Sequence, residues 1–309
     1  MSKTLMAAPT LAHAVAGQGP TCPVCTRRDN TVWGVKTGQV MFECRECGLT
    51  FFDRSAFQVH DYGNYYDYAE NWDSNQAFAD LKVRKRALLQ QLAKLGSYVS
   101  GRRLLDIGAG PGYLCHLAAN AGWKAQGVEV SENALRIGRQ FLNVEYVQLD
   151  DIPDESLDVI TCYHILEHIE FPDGFIRKLY SKLQPDGVVA VHVPHREPLS
   201  FLVRNLVNSS DGAEKHCQLY VPEHVSGFTR ESLVKVFQRF GFRPLLIKTS
   251  AMWGVYADPF FLKTYLKAND YRGIVRHTLR CLVDNLGIPF GRGDWVVGHF
   301  RKELKESPR

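Results

Sequence analysis

The chain lacks any apolar run approaching the ~20 residues that a membrane-crossing helix requires. Its best candidate, Val188 to Val193, contains His192 and is bounded by Gly187 and Pro194. Such a chain is expected to be soluble. A strong charge of either sign is also missing, since 37 basic residues oppose 33 acidic ones for a formal net charge of +4. That excess favours anionic small partners only mildly, and no basic, aromatic-interleaved stripe of the kind that tracks nucleic acid is present. Apolar residues are not scarce: they make up 45% of the 309 residues, which excludes a fully disordered or fibrous protein and suits one large domain with a small appendage. A clear signal peptide is missing too, because Pro9 and His13 break the weakly apolar stretch that follows Lys3. Residues 1–20 are expected to be a disordered tail.

The eight cysteines do not have the distribution of a disulfide framework. Cys115, Cys162, Cys217 and Cys281 are scattered singly, as reduced and buried thiols of a cytoplasmic protein are. The other four form two CxxC pairs, Cys22 with Cys25 and Cys44 with Cys47, eighteen residues apart. Each turn offers two thiolates to one metal, and two turns on a facing hairpin complete a closed tetrahedral set that suits Zn2+. Gly34 and Gly38 punctuate the hairpin, and Gly48 supplies a tight turn after the last cysteine. A redox dithiol is the competing use of CxxC, but the doubled motif favours metal. Residues 21–54 therefore read as a zinc ribbon in which the ion replaces a core too small to build.

Residues 55–100 read as an aromatic and helical lid and linker. The stretch HDYGNYYDYAENWD leads into a helix from Gln76 to Leu95 whose polar face carries Lys82, Arg84, Lys85 and Arg86, a solvated face by default. The tyrosines at 62, 65, 66 and 68 either pack between modules or cover a pocket, and Tyr66 is a candidate acceptor contact.

From residue 101 onward, strands and helices alternate. RRLLDIGAGPGYLCHLAANAGW gives a strand from Arg103 to Ile107, a turn containing Gly108, Gly110 and Gly112, then a helix from about Tyr113 to Ala121. The pattern is DxGxGxG with Pro111 inside it, not the dinucleotide GxGxxG, and Asp106 suits a cationic or donor-bearing ligand better than a pyrophosphate. The next strand ends in Glu129, whose two oxygens match a vicinal diol such as that of ribose. Ser131 is placed as the N-cap of the helix ENALRIGRQF. A third strand, VEYVQL, ends in Asp150 and Asp151, either of which can accept an adenine amine, with Ile152 beside them to pack on the base. Three acids thus fall at the C-terminal ends of successive strands, where open α/β sheets bind ligands.

The strand LDVITC runs into YHILEHIEF, bringing Tyr163, His164, Glu167 and His168 to the same edge. HxxEH also matches a zinc-peptidase pattern, but that motif sits within a helix, whereas here an apolar strand runs directly up to it. His168 or His164 is read as a general base, against the plainer reading that both only bond nearby loops. The strand VVAVHVPHREP presents His195, and an irregular insertion over about 196–226 contains Tyr220 and His224, read with His195 as acceptor contacts. Thr229 should cap a helix to Phe240. A strand FRPLLIKTS, a helical segment over about 256–287 and a final antiparallel strand DWVVGHFRK complete the pattern.

These segments resemble the class I S-adenosylmethionine-dependent methyltransferases. LLDIGAGPG matches their first motif, VEVSE their second-strand acid, and LDVITCYHILEHI is similar to the LEHI signature of a branch that includes ubiquinone and sugar methyltransferases. PEHVSGFTRESLVKVFQRFGF and GDWVVGHFRK fit the same branch, so the likeness spans roughly residues 60 to 303. The ribbon resembles modules on some sugar C-methyltransferases, which are longer chains. The resemblance implies an α/β, Rossmann-like seven-stranded sheet with helices on both faces, preceded by the four-cysteine ribbon. It implies S-adenosylmethionine held by Asp106 and the glycines at its methionine end, by Glu129 at the ribose and by Asp150 or Asp151 at the adenine, with Tyr163 also against the cofactor. The activity implied is C- or O-methylation of a small-molecule or sugar-containing metabolite in the cytoplasm. Two rivals stand beside it: an rRNA or tRNA methyltransferase using the ribbon to touch RNA, and an inactive zinc-ribbon interaction protein.

Overall fold

The computed structural model describes residues 19–36, 38–53, 62–207, 217–219, 223–250 and 270–303. Strands β1 (Asn30–Lys36) and β2 (Gln39–Cys44) form an antiparallel hairpin, followed by β3 (Thr50–Phe52). After a 3₁₀ segment, Tyr62–Ala69, comes helix α1 (Ser74–Gly96). It starts two residues before the position read from periodicity because Asp73 accepts the Gln76 N–H while the Gln76 side chain accepts the Asp73 N–H, a reciprocal cap. The chain then alternates through β4 (Arg103–Ile107), α2 (Tyr113–Asn120), β5 (Lys124–Val128), α3 (Glu132–Phe141), β6 (Glu145–Tyr146), β7 (Leu157–Tyr163), α4 (Pro172–Lys182) and β8 (Leu183–Pro194). It continues with α5 (Leu199–Val207), β9 (Ser226–Gly227), α6 (Arg230–Arg239), β10 (Phe242–Ser250), α7 (Tyr271–Gly287) and β11 (Trp295–Lys302).

Seven strands form one sheet in the order β10-β11-β8-β7-β4-β5-β6, with β11 antiparallel to both neighbours and the others parallel. The chain leaves β4 toward β5 and β6, then returns to the other side of β4 to lay down β7 and β8. That reversal opens a crevice at the C-terminal ends of β4 and its neighbours. Alternation along the central strands sends Leu105, Ile160, Val189 and Val191 into one core and Leu104, Val159, Val188 and Ala190 into another, so both faces of the sheet are covered. Each Leu, Ile or Val among them contributes roughly 1.5–3 kcal/mol by leaving water.

The four cysteines of the CxxC pairs, with Phe42, Leu49 and Phe51, belong to the same core as Phe228, Leu233, Val236 and Phe237. The ribbon is therefore fused to the α6 side of the sheet, and its own sheet, β1-β2-β3-β9, borrows β9 from far along the chain. Several expectations are corrected. The strand VEYVQL shrinks to Glu145–Tyr146 and passes into a 3₁₀ turn, Leu149–Asp151. Ser131 sits at the N-cap of α3 without a side-chain cap bond; its own N–H donates to Glu129 Oε1 at 2.9 Å. Thr229 does cap α6, accepting the Ser232 N–H. Of the expected helical segment 256–287, the described part is α7, and residues 251–269 lie outside the described residues. No helix among the described residues is long and apolar enough to cross a membrane.

Candidate active site

Between β4 and α2 the backbone passes through φ values of +71° at Gly108, +54° at Gly110 and +76° at Gly112. Only glycine enters this region without strain, and space also demands it at all three, since a Cβ on Gly112 collides with the Val144 side chain. A Cβ on Gly108 collides with the Ile165 side chain, and one on Gly110 collides with the Tyr66 hydroxyl. The turn is tied to the end of β5 by N–H groups of Gly108 and Ala109, which donate to Val128 O at 2.9 and 3.0 Å. Glu129 Oε2 accepts the Gly110 N–H at 2.7 Å, and Tyr146 donates its hydroxyl to Gly110 O at 2.8 Å.

Asp106, at the end of β4, is 7% exposed and accepts the Thr161 hydroxyl at 2.6 Å. Burial pushes its carboxyl up to about 7; the Thr161 bond opposes the shift and the Glu129 charge adds to it. The two acids therefore converge on the Gly-rich bend. Glu129 Oε1 accepts the N–H groups of Val130 and Ser131, so three of its four acceptor positions are filled from the backbone.

The third acid is placed differently. Asp150 is exposed and paired with Lys178 Nζ at 2.5 Å, which holds its carboxyl below the usual range. Asp151 is exposed on the same turn, while Ile152 is buried in the core and offers no face to a base. Val130, beside Glu129, is 64% exposed. Tyr66 lies over the bend, and its segment is held to α3 by Arg136, which donates to the carbonyls of Ala69, Glu70 and Trp72 at 3.1, 2.6 and 3.3 Å. Tyr163, at the end of β7, stacks on His192 with ring centres 4.0 Å apart, and its hydroxyl is buried without a hydrogen-bond partner.

Beyond Tyr163, His164 takes a left-handed φ of +58° while its N–H donates to His192 O at 2.8 Å, and residues Leu166–His168 form one 3₁₀ turn. The HxxEH segment is thus a strand end and a turn, not the helix a peptidase requires. Glu167 is 2% exposed, and neither of its oxygens accepts a hydrogen bond. Facing it are His164 Nδ1 at 3.5 Å and His168 Nε2 at 3.9 Å.

His168 Nδ1 lies 2.6 Å from Glu223 O, and His224 Nδ1 lies 2.6 Å from Gln218 O. A carbonyl only accepts, so Nδ1 is the donor in both rings and a neutral ring keeps Nε2 as an acceptor. Burial pushes the His168 ring below its usual value, against the opposing charge of Glu167. The two rings meet edge to face at 4.7 Å, and Glu167, His168 and His224 bring one donor atom each within 4.8 Å of one another. Such a grouping has the chemistry to take up a proton or to grip a cation. Sequence reasoning named His168 and His224 separately and missed that they meet, because no local periodicity links a β7 turn to a strand-edge loop.

His195 is 2% exposed, accepts the Glu197 N–H at 3.1 Å and is pushed down to about 3 by burial and by Arg292 and Arg196. It is enclosed by protein and does not form the acceptor contact expected of it. Tyr220 lies outside the described residues.

In the ribbon, Cys22 and Cys47 sulfurs are 3.7 Å apart, those of Cys25 and Cys44 are 3.3 Å apart, and all four fall within 4.8 Å of one another. Disulfide bonding needs about 2.05 Å. A tetrahedron with Zn–S bonds of ~2.3 Å has edges of about 3.8 Å, so this donor set fits the ion. Its two knuckles are alike: Thr26 donates to Cys22 O at 3.0 Å with φ +59°, and Gly48 to Cys44 O at 2.8 Å with φ +72°.

A seven-stranded sheet with one antiparallel strand and a glycine bend gripped by strand-end acids has the architecture of a class I S-adenosylmethionine-dependent methyltransferase. The chain belongs to the methyltransferase domain family, whose profile matches residues 75–247. It is 31% identical over 141 residues to a ubiquinone biosynthesis O-methyltransferase of Bordetella avium, covering 42% of this chain and 58% of that protein. An Acinetobacter baumannii protein of the same description is 29% identical over 145 residues, 43% of this chain and 61% of that one. The chain thus spans about three-fifths of the length of these curated relatives. Among solved structures, phosphoethanolamine N-methyltransferase 2 of Haemonchus contortus with S-adenosyl-L-methionine shares the fold, with a TM-score of 0.50 and 18% identity over 82% of this chain and 62% of that one.

Proposed function

We propose that this chain transfers the methyl group of S-adenosylmethionine to a hydroxyl of a small molecule, with the cofactor on the Gly108–Gly112 bend and the acceptor against Glu167, His168 and His224. The observation that carries this reading is the buried Glu167 carboxylate, which no donor satisfies and which faces an acceptor nitrogen of His168 at 3.9 Å. A buried, unsatisfied carboxylate costs free energy. An acceptor hydroxyl donates to His168 Nε2 and loses its proton there as its oxygen attacks, and the imidazolium so formed gives the Glu167 carboxylate its missing counter-charge. The lowered value of His168 keeps the ring neutral and ready at physiological pH. The choice of oxygen as the methylated atom is supported by the O-methyltransferases this chain resembles.

When bound, S-adenosylmethionine supplies a methyl group activated by its sulfonium. Asp106 receives the ammonium of the methionine part, Glu129 offers its remaining acceptor position to a ribose hydroxyl, and Val130 packs on the base. Tyr66 and Ile165 close over the bend and exclude water. Alignment in such a dry pocket is worth ~7 to 11 kcal/mol of the barrier. The four thiolates of Cys22, Cys25, Cys44 and Cys47 hold a structural Zn2+ whose closed coordination leaves no position for substrate.

Calorimetric titration with S-adenosylhomocysteine tests the reading. Saturable binding is expected, weakened tenfold or more by Glu129→Gln, and tightening as pH rises from 6 to 8 because Asp106 must lose its proton to meet the ammonium. A wild-type protein that shows no saturable binding would exclude this function.

A further inference from the structure

The ribbon does more than cap the sheet. Strand β3 of the ribbon pairs antiparallel with β9, Thr50 opposite Gly227 and Phe51 opposite Ser226. Strand β9 begins two residues after His224, and the intervening Val225 donates its N–H to Glu167 O at 2.9 Å. The segment before His224 is laid on the ribbon as well. Cys217 and Leu219 are buried with Met41 and Phe52, and Gln218 O is the carbonyl that orients the His224 ring.

One side chain spans the junction. Arg196, just past β8, pairs with Glu43 Oε1 at 2.9 Å, donates to the Thr50 hydroxyl and lies over the Trp33 ring at 5.0 Å. Its backbone holds the same loop from the other side: its N–H donates to Phe228 O at 2.9 Å and its carbonyl accepts the Gln218 N–H at 2.9 Å. The side chain of Arg196 thus grips the ribbon while its main chain grips both flanks of the loop that carries His224.

We propose that the ribbon is a strap of the acceptor site, and that Arg196 is the positioning residue through which it sets His224 opposite Glu167 and His168. This rests on the reading of that cluster as the acceptor side. The hydrogen bonds that hold the cofactor bend come from β5, Glu129 and Tyr146 of β6. Loosening the strap therefore separates the two halves of the site. The loop is held by a two-residue pairing and a handful of hydrogen bonds, and such locally held segments open independently of the global fold.

Hydrogen exchange on the full-length, metal-loaded protein, read by mass spectrometry, gives the test, with Arg196→Ala, Arg196→Lys and Glu43→Gln compared to wild type. Arg196→Ala is expected to raise exchange across residues 217–219 and 223–228 by about tenfold. It should also shift the His224 and His168 imidazole resonances, while S-adenosylhomocysteine affinity stays within threefold of wild type. Arg196→Lys should restore part of the protection through the Glu43 pair. Glu43→Gln, a near-isosteric change at a half-buried position, should raise exchange about threefold and carries the test if Arg196→Ala does not fold. Unchanged exchange and resonances in Arg196→Ala, or in Glu43→Gln where that variant stands in, overturn the strap; so does equal loss of cofactor affinity, which marks a general structural role. Failure of the wild type to bind S-adenosylhomocysteine sinks the methyltransferase reading instead and leaves the exchange result interpretable.

Discussion

At Gly110 two demands coincide: a left-handed backbone and a hydroxyl group pressed against the place where a side chain would stand. Gly122, with φ +82°, meets only the first demand, since nothing lies within 4 Å of its missing Cβ. Ala at either position costs roughly 1–2 kcal/mol of backbone strain. Only at Gly110 must Tyr66 also move off the bend. Gly110→Ala is expected to weaken S-adenosylhomocysteine binding at least tenfold, whereas Gly122→Ala should lower the melting temperature by a few degrees and leave binding intact. Equal binding losses in the two variants, measured by calorimetry, would show that Tyr66 has no part in the site. Asp106, the glycines and Glu129 were legible because strand ends and glycine spacing are local patterns. Ile152 and His195 were misread because their burial is decided by residues from other elements, the core beneath β7 for one and the backbone of Phe228 and Asp294 for the other, which no local pattern encodes.

Among the elements, β8 and β11 were plain in the sequence as apolar runs, yet they hold histidines whose burial the runs do not announce. Burial pushes His192 in β8 and His195 just beyond it down to about 3, and His299 in β11 down to about 4. Each folded value lies below the ordinary ~6.5, so between them the unfolded chain binds more protons. Their contribution to stability is complete above pH 6.5 and is lost as pH falls toward 4, at up to about 1.4 kcal/mol per pH unit for each ring. Asp106, raised to about 7, has the opposite sign over the same window and offsets one of the three. The urea midpoint is therefore expected to fall between pH 6.5 and 5, and to fall less in His192→Phe, which keeps the stack on Tyr163 without a titrating ring. A midpoint that stays level across that window would mean these rings are hydrated in solution. Past the short third strand, Asp150 pairs with Lys178 of α4 and Ile152 lies in the core, partners that come from other elements.

For the whole molecule, the CxxC spacing announced a ribbon but not its attachment, because a two-residue pairing of β3 with β9 has no signature in either segment. That attachment changes what metal loss does. In a ribbon hung on a linker, removing the ion melts the ribbon alone and leaves the sheet at its own melting temperature. Here the four sulfurs lie in the core that also holds Phe228, Leu233 and Phe237, and Arg239 of α6 donates to Cys25 O at 3.4 Å. Without the ion, nothing binds the two knuckles together. Several kcal/mol lost from a shared core, at roughly 2–4 °C for each, gives a fall of about 10 °C in a single transition. Differential scanning calorimetry before and after exhaustive chelation reads this directly. Two separated transitions in the chelated protein, with the larger unmoved, would mean that ribbon and sheet fold as independent bodies.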